Sequence, residues 1–246
     1  MGERGKLPKA TDSKATGPKA KGKGEVAAFL DRLASVPAPG TGGARGRLLF
    51  GIDATASRQP TWDRACEIQA EMFHQAAALG GLEIQLAYYR GFHEFAATEW
   101  LDRADELTRR MTAVTCLAGR TQIGALLDHV IAEARRRRVN AFVFVGDCME
   151  EDAEALYRRA GELAILGLPA FVFHEGGEPL AAESFQRLAR LSGGAYCRFD
   201  AGSAKQLREL LRAVAVFAAG GRAALDDYGR RRGGAALRIE RQMKGR

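Results

Sequence analysis

Two runs in the chain, Leu48 to Ile52 and Ala141 to Gly146, are apolar without polar alternation, which predicts strands buried on both faces as in a parallel sheet. Each stops abruptly on a carboxylate, Asp53 or Asp147. Glu83 to Tyr89 and Phe92 to Ala96 alternate apolar with polar and are split by Arg90-Gly91, which predicts a hairpin. Ala170 to Phe173 and Ala195 to Phe199 complete six predicted strands. Between them the period changes to that of a helix. Trp62, Ala65, Cys66, Met72, Phe73 and Ala76 mark the first such stretch, ending near Gly80-Gly81. Trp100 to Met111, with Leu101 and Leu107 inward, marks the second. Ile123, Leu126, Leu127, Val130, Ile131 and Ala134 keep helical spacing without a miss. Helices around Leu156–Leu163, Phe185–Leu191 and Ala204–Phe217 follow. Strands alternating with helices of this length imply right-handed crossovers. The expected fold is α/β: a doubly wound, mostly parallel six-stranded sheet with the Phe92 strand as antiparallel edge and helices on both faces.

Composition divides the chain into four parts. Residues 1–24 are rich in Lys, Gly, Ala, Pro and Thr with Leu7 as the only aliphatic residue after Met1, which predicts a disordered basic tail. Residues 25–44 read as a short amphipathic helix through Val26, Phe29, Leu30 and Leu33, followed by a Pro/Gly linker. Residues 45–221 form the expected domain, and 222–246 a second basic tail. The net charge of +7 sits in the tails, each +5, which leaves −3 for 25–221. A nucleic-acid-binding body would carry a basic stripe, so no specific nucleic acid is expected. No apolar run is long enough to span a membrane, and no apolar core follows the N-terminal lysines as in a secretory signal. A cytoplasmic protein is expected, and the Arg, Ala and Gly excess hints at a GC-rich bacterial genome. Cys66, Cys116, Cys148 and Cys197 are scattered, without the spacing of a zinc site, which fits reduced core thiols.

The candidate chemistry lies where strands end. Asp53-x-Thr55-x-Ser57 follows the first strand, with Pro60 expected to open the next helix. Thr121 stands before the strongest helix, after Leu117-Ala118-Gly119-Arg120, and Asp147 closes the fourth strand. In a doubly wound sheet the first and fourth strands are neighbours where the strand order reverses, and ligands bind in the crevice there. Two carboxylates and three hydroxyls would meet, an oxygen set suited to a hard divalent cation. Each residue also has a structural role open to it. Asp53 can end a strand, Ser57 can cap the following helix, and Thr121 can be an N-cap, although Gly124 offers no capping box. Arg135 to Arg138 fit the negative end of their own helix, and Glu150, Glu151 and Asp152 the positive start of theirs. His174-Glu175 points to the same sheet edge as Asp147 and is a candidate partner contact. His74, His129 and Trp62 read as ordinary framework residues.

Asp53-Ala-Thr55-Ala-Ser57, Gly119-Arg120-Thr121 and the VFVGD run ending at Asp147 resemble, in that order and on those elements, the metal-ion-dependent adhesion site of von Willebrand factor type A (VWA) domains. The resemblance covers about residues 45–221. It implies that Thr55, Ser57 and Thr121 reach the ion directly, that Asp53 and Asp147 act through water, and that an acidic residue of a protein partner takes the remaining position. Mg²⁺ is the implied ion, with Mn²⁺ or Ca²⁺ as alternatives. Two departures stand out: Thr55 where Ser is commoner, and Cys148 where Gly often follows the last Asp.

Three functions compete at this stage. The first is a non-enzymatic, metal-dependent protein-binding module. The second is a Mg²⁺-dependent phosphohydrolase; aspartate-nucleophile enzymes of that kind need a second carboxylate two residues after the first, and position 55 is Thr. The third is an adaptor for nucleic acid or an anionic surface acting through the tails. The reading favours the first, with no catalytic residues.

Overall fold

The computed structural model describes residues 28–33, 46–63, 66, 67, 70, 82–200 and 204–231. The tails up to residue 24 and beyond 231, the linker, and Met72, Phe73, His74 and Ala76 lie outside the described residues. Six strands, β1 (Gly46–Asp53), β2 (Leu82–Arg90), β3 (Glu94–Ala97), β4 (Ala141–Gly146), β5 (Ala170–Glu175) and β6 (Ala195–Phe199), form one sheet in the order β3-β2-β1-β4-β5-β6. All neighbours are parallel except β2 and β3. The order reverses between β1 and β4, as the alternation of elements predicts. Among the described residues, helices accompany it: α1 (Ala104–Thr112), α2 (Ile123–Arg136), α3 (Ala153–Ile165), α4 (Pro179–Leu191) and α5 (Ala204–Arg231), besides the helical segment 28–33 and helical residues after Thr61.

The two apolar runs divide their side chains between two cores. Leu48, Phe50 and Ile52 of β1, with Val143 and Val145 of β4, face Leu210, Leu211, Val214 and Phe217 of α5 and Phe29 and Leu33 of the helical segment 28–33. Leu49, Phe142 and Phe144 face the opposite layer, built from Leu126, Leu127 and Val130 of α2 and from α3 and α4. A strand covered on both sides has no solvent face to make polar, hence the absence of alternation. A Cβ on Gly51 would lie 2.7 Å from a methyl of Leu126 and 2.9 Å from the Phe142 ring, so the glycine leaves room for Leu126 of α2 to pack against β1.

Three boundaries differ from expectation. β3 starts at Glu94 because Gly91 and His93 both adopt left-handed φ, 58° and 68°, so Phe92 belongs to the turn. α1 starts at Ala104, not Trp100. Residues 98–101 instead continue alongside β2, with Leu101 and Ile84 exchanging both backbone bonds at 2.9 and 2.7 Å, and this pairing outcompetes a helical start. The helical stretch expected to open at Pro60 begins differently: Pro60 lies inside a 3-10 turn, Ala56–Thr61, and α-helical residues follow it from Trp62. Gly221 departs from helical conformation within α5, at the residue where the sequence reading ends the body. No described helix is long and apolar enough to cross a membrane.

Candidate metal centre

Asp53, the last residue of β1, is wholly buried, and both of its carboxylate oxygens are held. Oδ1 accepts the Thr55 N–H at 2.8 Å, and Oδ2 accepts the Tyr89 hydroxyl at 3.0 Å. Tyr89 stands directly opposite Asp53 in the β1–β2 register. Burial raises the Asp53 pKa above the usual carboxylate range; the Thr55 hydrogen bonds and Arg58 oppose this, and the charge of Asp147 adds to it. Burial also keeps the Tyr89 phenol protonated, its pKa well above normal, so it remains a donor. The Thr55 and Ser57 hydroxyls lie 3.0 Å apart, with Thr55 6% exposed and Ser57 in solvent. Neither caps the 3-10 turn: its N-cap is Thr55, whose side chain makes no capping bond.

Arg58 lies beneath this loop. Its Nη1 donates to the Asp53 carbonyl at 2.8 Å, and its Nε donates to Glu175 Oε2 at 2.9 Å, with the guanidinium fully enclosed. Two strand ends are thereby tied together by one buried ion pair. Glu175, at the end of β5, accordingly serves the interior and does not face a partner.

Thr121 reaches the same edge through a sewn loop. The Leu117 N–H donates to Ala54 O at 3.1 Å, and Leu117 bridges Thr55. The Arg120 N–H donates to Gly91 O at 3.2 Å. Gly119 must be glycine for this approach, since a Cβ would fall 1.8 Å from the Gly91 carbonyl oxygen. Thr121, 6% exposed, is paired reciprocally with Glu150: its N–H donates to Glu150 Oε2 at 3.0 Å, and its hydroxyl accepts the Glu150 N–H at 3.1 Å. The hydroxyl therefore does not cap α2, whose N-cap is Gln122. Glu151 does that work from a distance, taking the N–H groups of Ile123 at 2.5 Å and Gly124 at 2.8 Å. This corrects the expectation for the acidic run: Asp152 alone caps α3, through Glu154 N, while Glu150 and Glu151 hold the start of α2.

Asp147 follows Gly146, half-buried. Its Oδ1 is enclosed and has no hydrogen-bond partner. Its carbonyl accepts from His174 Nε2 at 3.2 Å; a carbonyl cannot donate, so that nitrogen carries the proton and Nδ1 accepts from the Tyr196 hydroxyl at 2.9 Å. His174 is fully buried and its pKa is lowered by burial, so the imidazole is a neutral strut and not a partner contact. Cys148 is half-buried with a raised pKa, first from burial and then from Glu150 and Asp147, which disfavours the thiolate. Burial pushes Cys66 and Cys116 up to about 11.

Asp53, Asp147 and Glu175 gather at this edge around the buried cation Arg58, Arg120 lies exposed on the neighbouring loop, and Asp147 Oδ1 is an enclosed carboxylate oxygen without a hydrogen-bond partner. Among the described residues no group of three His, Cys, Asp or Glu could hold a metal. A bound ion would therefore depend on the hydroxyl oxygens of Thr55, Ser57 and Thr121, and the orphaned Asp147 oxygen at the same edge as the buried Asp53 fits a hard divalent cation. Tyr89 and Arg58 go unnoticed in the sequence, and Glu150 and Glu151 read there as serving their own helix, since each of the four acts on an element remote in the chain.

No protein-family model matches the chain, and no curated protein matches it. Solved structures do. The SpRpn10 VWA domain superposes with TM-score 0.56 at 12% identity, covering 68% of this chain and 94% of that one. The von Willebrand factor type A structure from Catenulispora acidiphila gives 0.58 at 14% identity, covering 70% and 43%. Proximal thread matrix protein 1 from the mussel byssus, with a zinc-occupied MIDAS motif, gives 0.57 at 13% identity, covering 70% and 46%. The chain thus spans less than half the length of the last two. Its architecture is the VWA fold.

Proposed function

We propose that this chain is a non-enzymatic protein-interaction module in which Thr55, Ser57 and Thr121, backed by Asp53 and Asp147, hold a divalent cation that takes an acidic residue of a partner protein. The observation that carries this reading is the enclosed Asp147 Oδ1 without a partner, at the edge where Asp53 is also buried and feels the charge of Asp147. A neighbour of the same fold has a zinc-occupied MIDAS motif, which supports the reading. Neutral hydroxyls around a bound cation would leave it under-neutralised, so an incoming carboxylate would gain a charge-assisted bond. Mg²⁺ is the first choice, with Mn²⁺ and Ca²⁺ to be compared. Thr55, standing where a phosphohydrolase of the aspartate type needs its second acid, argues against catalysis.

Thermal melting tests the reading. Mg²⁺ or Mn²⁺ should raise the midpoint of the parent protein by mass action, and Asp53→Ala or Thr121→Ala should abolish the rise. A parent protein indifferent to all three ions would sink it.

A further inference from the structure

Beside the candidate metal centre, the β2–β3 turn displays Phe92 with 68% of its surface exposed, and the neighbouring loop displays Leu117 with 38%. This exposure is not slack. The Gly91 N–H donates to Leu117 O at 3.4 Å, the Gly91 carbonyl accepts from Arg120 N at 3.2 Å and from Gln122 Nε2 at 3.3 Å, and Leu117 bridges Thr55. The turn is thus riveted to the loop that carries Thr121. His93, next to Phe92, is the one non-glycine residue with left-handed φ among the described residues, a conformation that costs energy and holds the turn in this shape. Arg120 is exposed and, unlike Arg90, which is paired with Glu94 and Thr115, has no side-chain hydrogen bond or ion pair among the described residues. A cation two residues before the first turn of α2 gains nothing from the helix, whose N-terminal end is positive. Its complement is an external anion.

We infer that Phe92, Leu117 and Arg120 form a reading surface for a linear protein segment in which an apolar side chain and a second carboxylate flank the acidic residue bound at the metal. The inference rests on the metal-site reading and adds what selects among acidic partners. A rigid apolar knob loses little conformational entropy on contact, so burying it adds affinity efficiently. The free guanidinium favours segments with more than one acid and lowers the standing of those with basic flanks.

The test is selection of random linear peptides displayed on phage against the full chain in Mg²⁺, eluted with EDTA, alongside the metal-dependent melting shift of every variant. The expected peptides combine Asp or Glu with a nearby aromatic or aliphatic residue. A selected peptide, made synthetically, should bind the doubly substituted F92S/L117S protein about tenfold more weakly, and R120Q should weaken it less. EDTA-eluted peptides without apolar preference, or a preference that survives F92S/L117S, would overturn the inference. So would a Mg²⁺-dependent dimer of the parent that F92S abolishes, since the surface would then belong to a second copy. Metal stabilisation without any EDTA-eluted peptide removes this inference and leaves the metal site standing; absence of both removes the two together.

Discussion

β1 has a buried arginine at each end, and the two are surrounded differently. At the amino edge Arg47 lies 3.5 Å over the Trp100 ring, donates to the Arg137 carbonyl at 3.1 Å, and faces Glu83 and Glu133 at 3.5 and 3.6 Å. Those acids are themselves engaged, Glu133 by Trp100 Nε1 at 2.6 Å and by Arg136, and Glu83 by Arg137. Cations there match or exceed anions. The arginine run 135–137 is thereby spent on local pairs, Arg135 with Glu162 included, and needs no phosphate to explain it. At the carboxyl edge Arg58 is outnumbered by Asp53, Asp147 and Glu175, and one Asp147 oxygen has no partner. The amino edge pairs its charges, although Arg47 Nε, like Arg58 Nη2 at the other edge, has no hydrogen-bond partner. The carboxyl edge differs in leaving a carboxylate oxygen enclosed and unpartnered, the kind of group a cation would complete.

That contrast can be broken experimentally. The largest effect belongs to Arg58→Met, which leaves Glu175 buried without its cation and releases the Asp53 carbonyl; chemical denaturation should show a loss of about 3–5 kcal/mol. A loss below that of Arg47→Met would mean the enclosed pair is not the anchor of this edge. Next comes the metal response: at a concentration of about 100 Kd, Mg²⁺ or Mn²⁺ should stabilise the parent by ~2.7 kcal/mol in melting or denaturation, with no such gain in Thr121→Ala. Smaller, and opposite in sign, is Asp53→Asn. Removing a buried charge that faces Asp147 while keeping acceptors for Thr55 N–H should stabilise the protein in EDTA by about 1 kcal/mol, and the same variant should lose the metal response. Destabilisation in EDTA would show that the carboxylate is held for its framework hydrogen bonds.

The smallest effect is one of pH. His129 packs beside the Phe95 ring and bonds to Gln85 at 2.9 Å, and burial lowers its pKa, as it does that of His174. A histidine held neutral binds fewer protons folded than unfolded. Stability should therefore fall as pH drops below the ordinary imidazole value of about 6.5, and His129→Gln should flatten part of that slope in denaturation series.

The parts of the molecule legible in the sequence are those where one segment's own pattern decides the outcome. Leu48 to Ile52 and Ala141 to Gly146 could only be strands covered on both faces, and the alternation of elements forces the order reversal between them. The placement of Asp53, Thr121 and Asp147 at one edge follows from that topology. The residues that hold these side chains in place were not legible. Tyr89 looks like any outward-facing tyrosine until its register opposite Asp53 is known. Arg58 follows Ser57 with no local sign that its guanidinium is enclosed, and Glu150 and Glu151 read as favouring their own helix until α2 is seen to start against them. Trp100 misled because its periodicity suits a helix, while the energy of pairing residues 98–101 with β2 lies in backbone bonds that composition does not encode.

The tight passage of Gly119 over the Gly91 carbonyl gives the molecule a built-in point of failure one methyl wide. Gly119→Ala would act as a wedge between the hairpin and the loop, and because that loop also carries Leu117, Arg120 and Thr121, one added methyl would shift all three together against the end of β1.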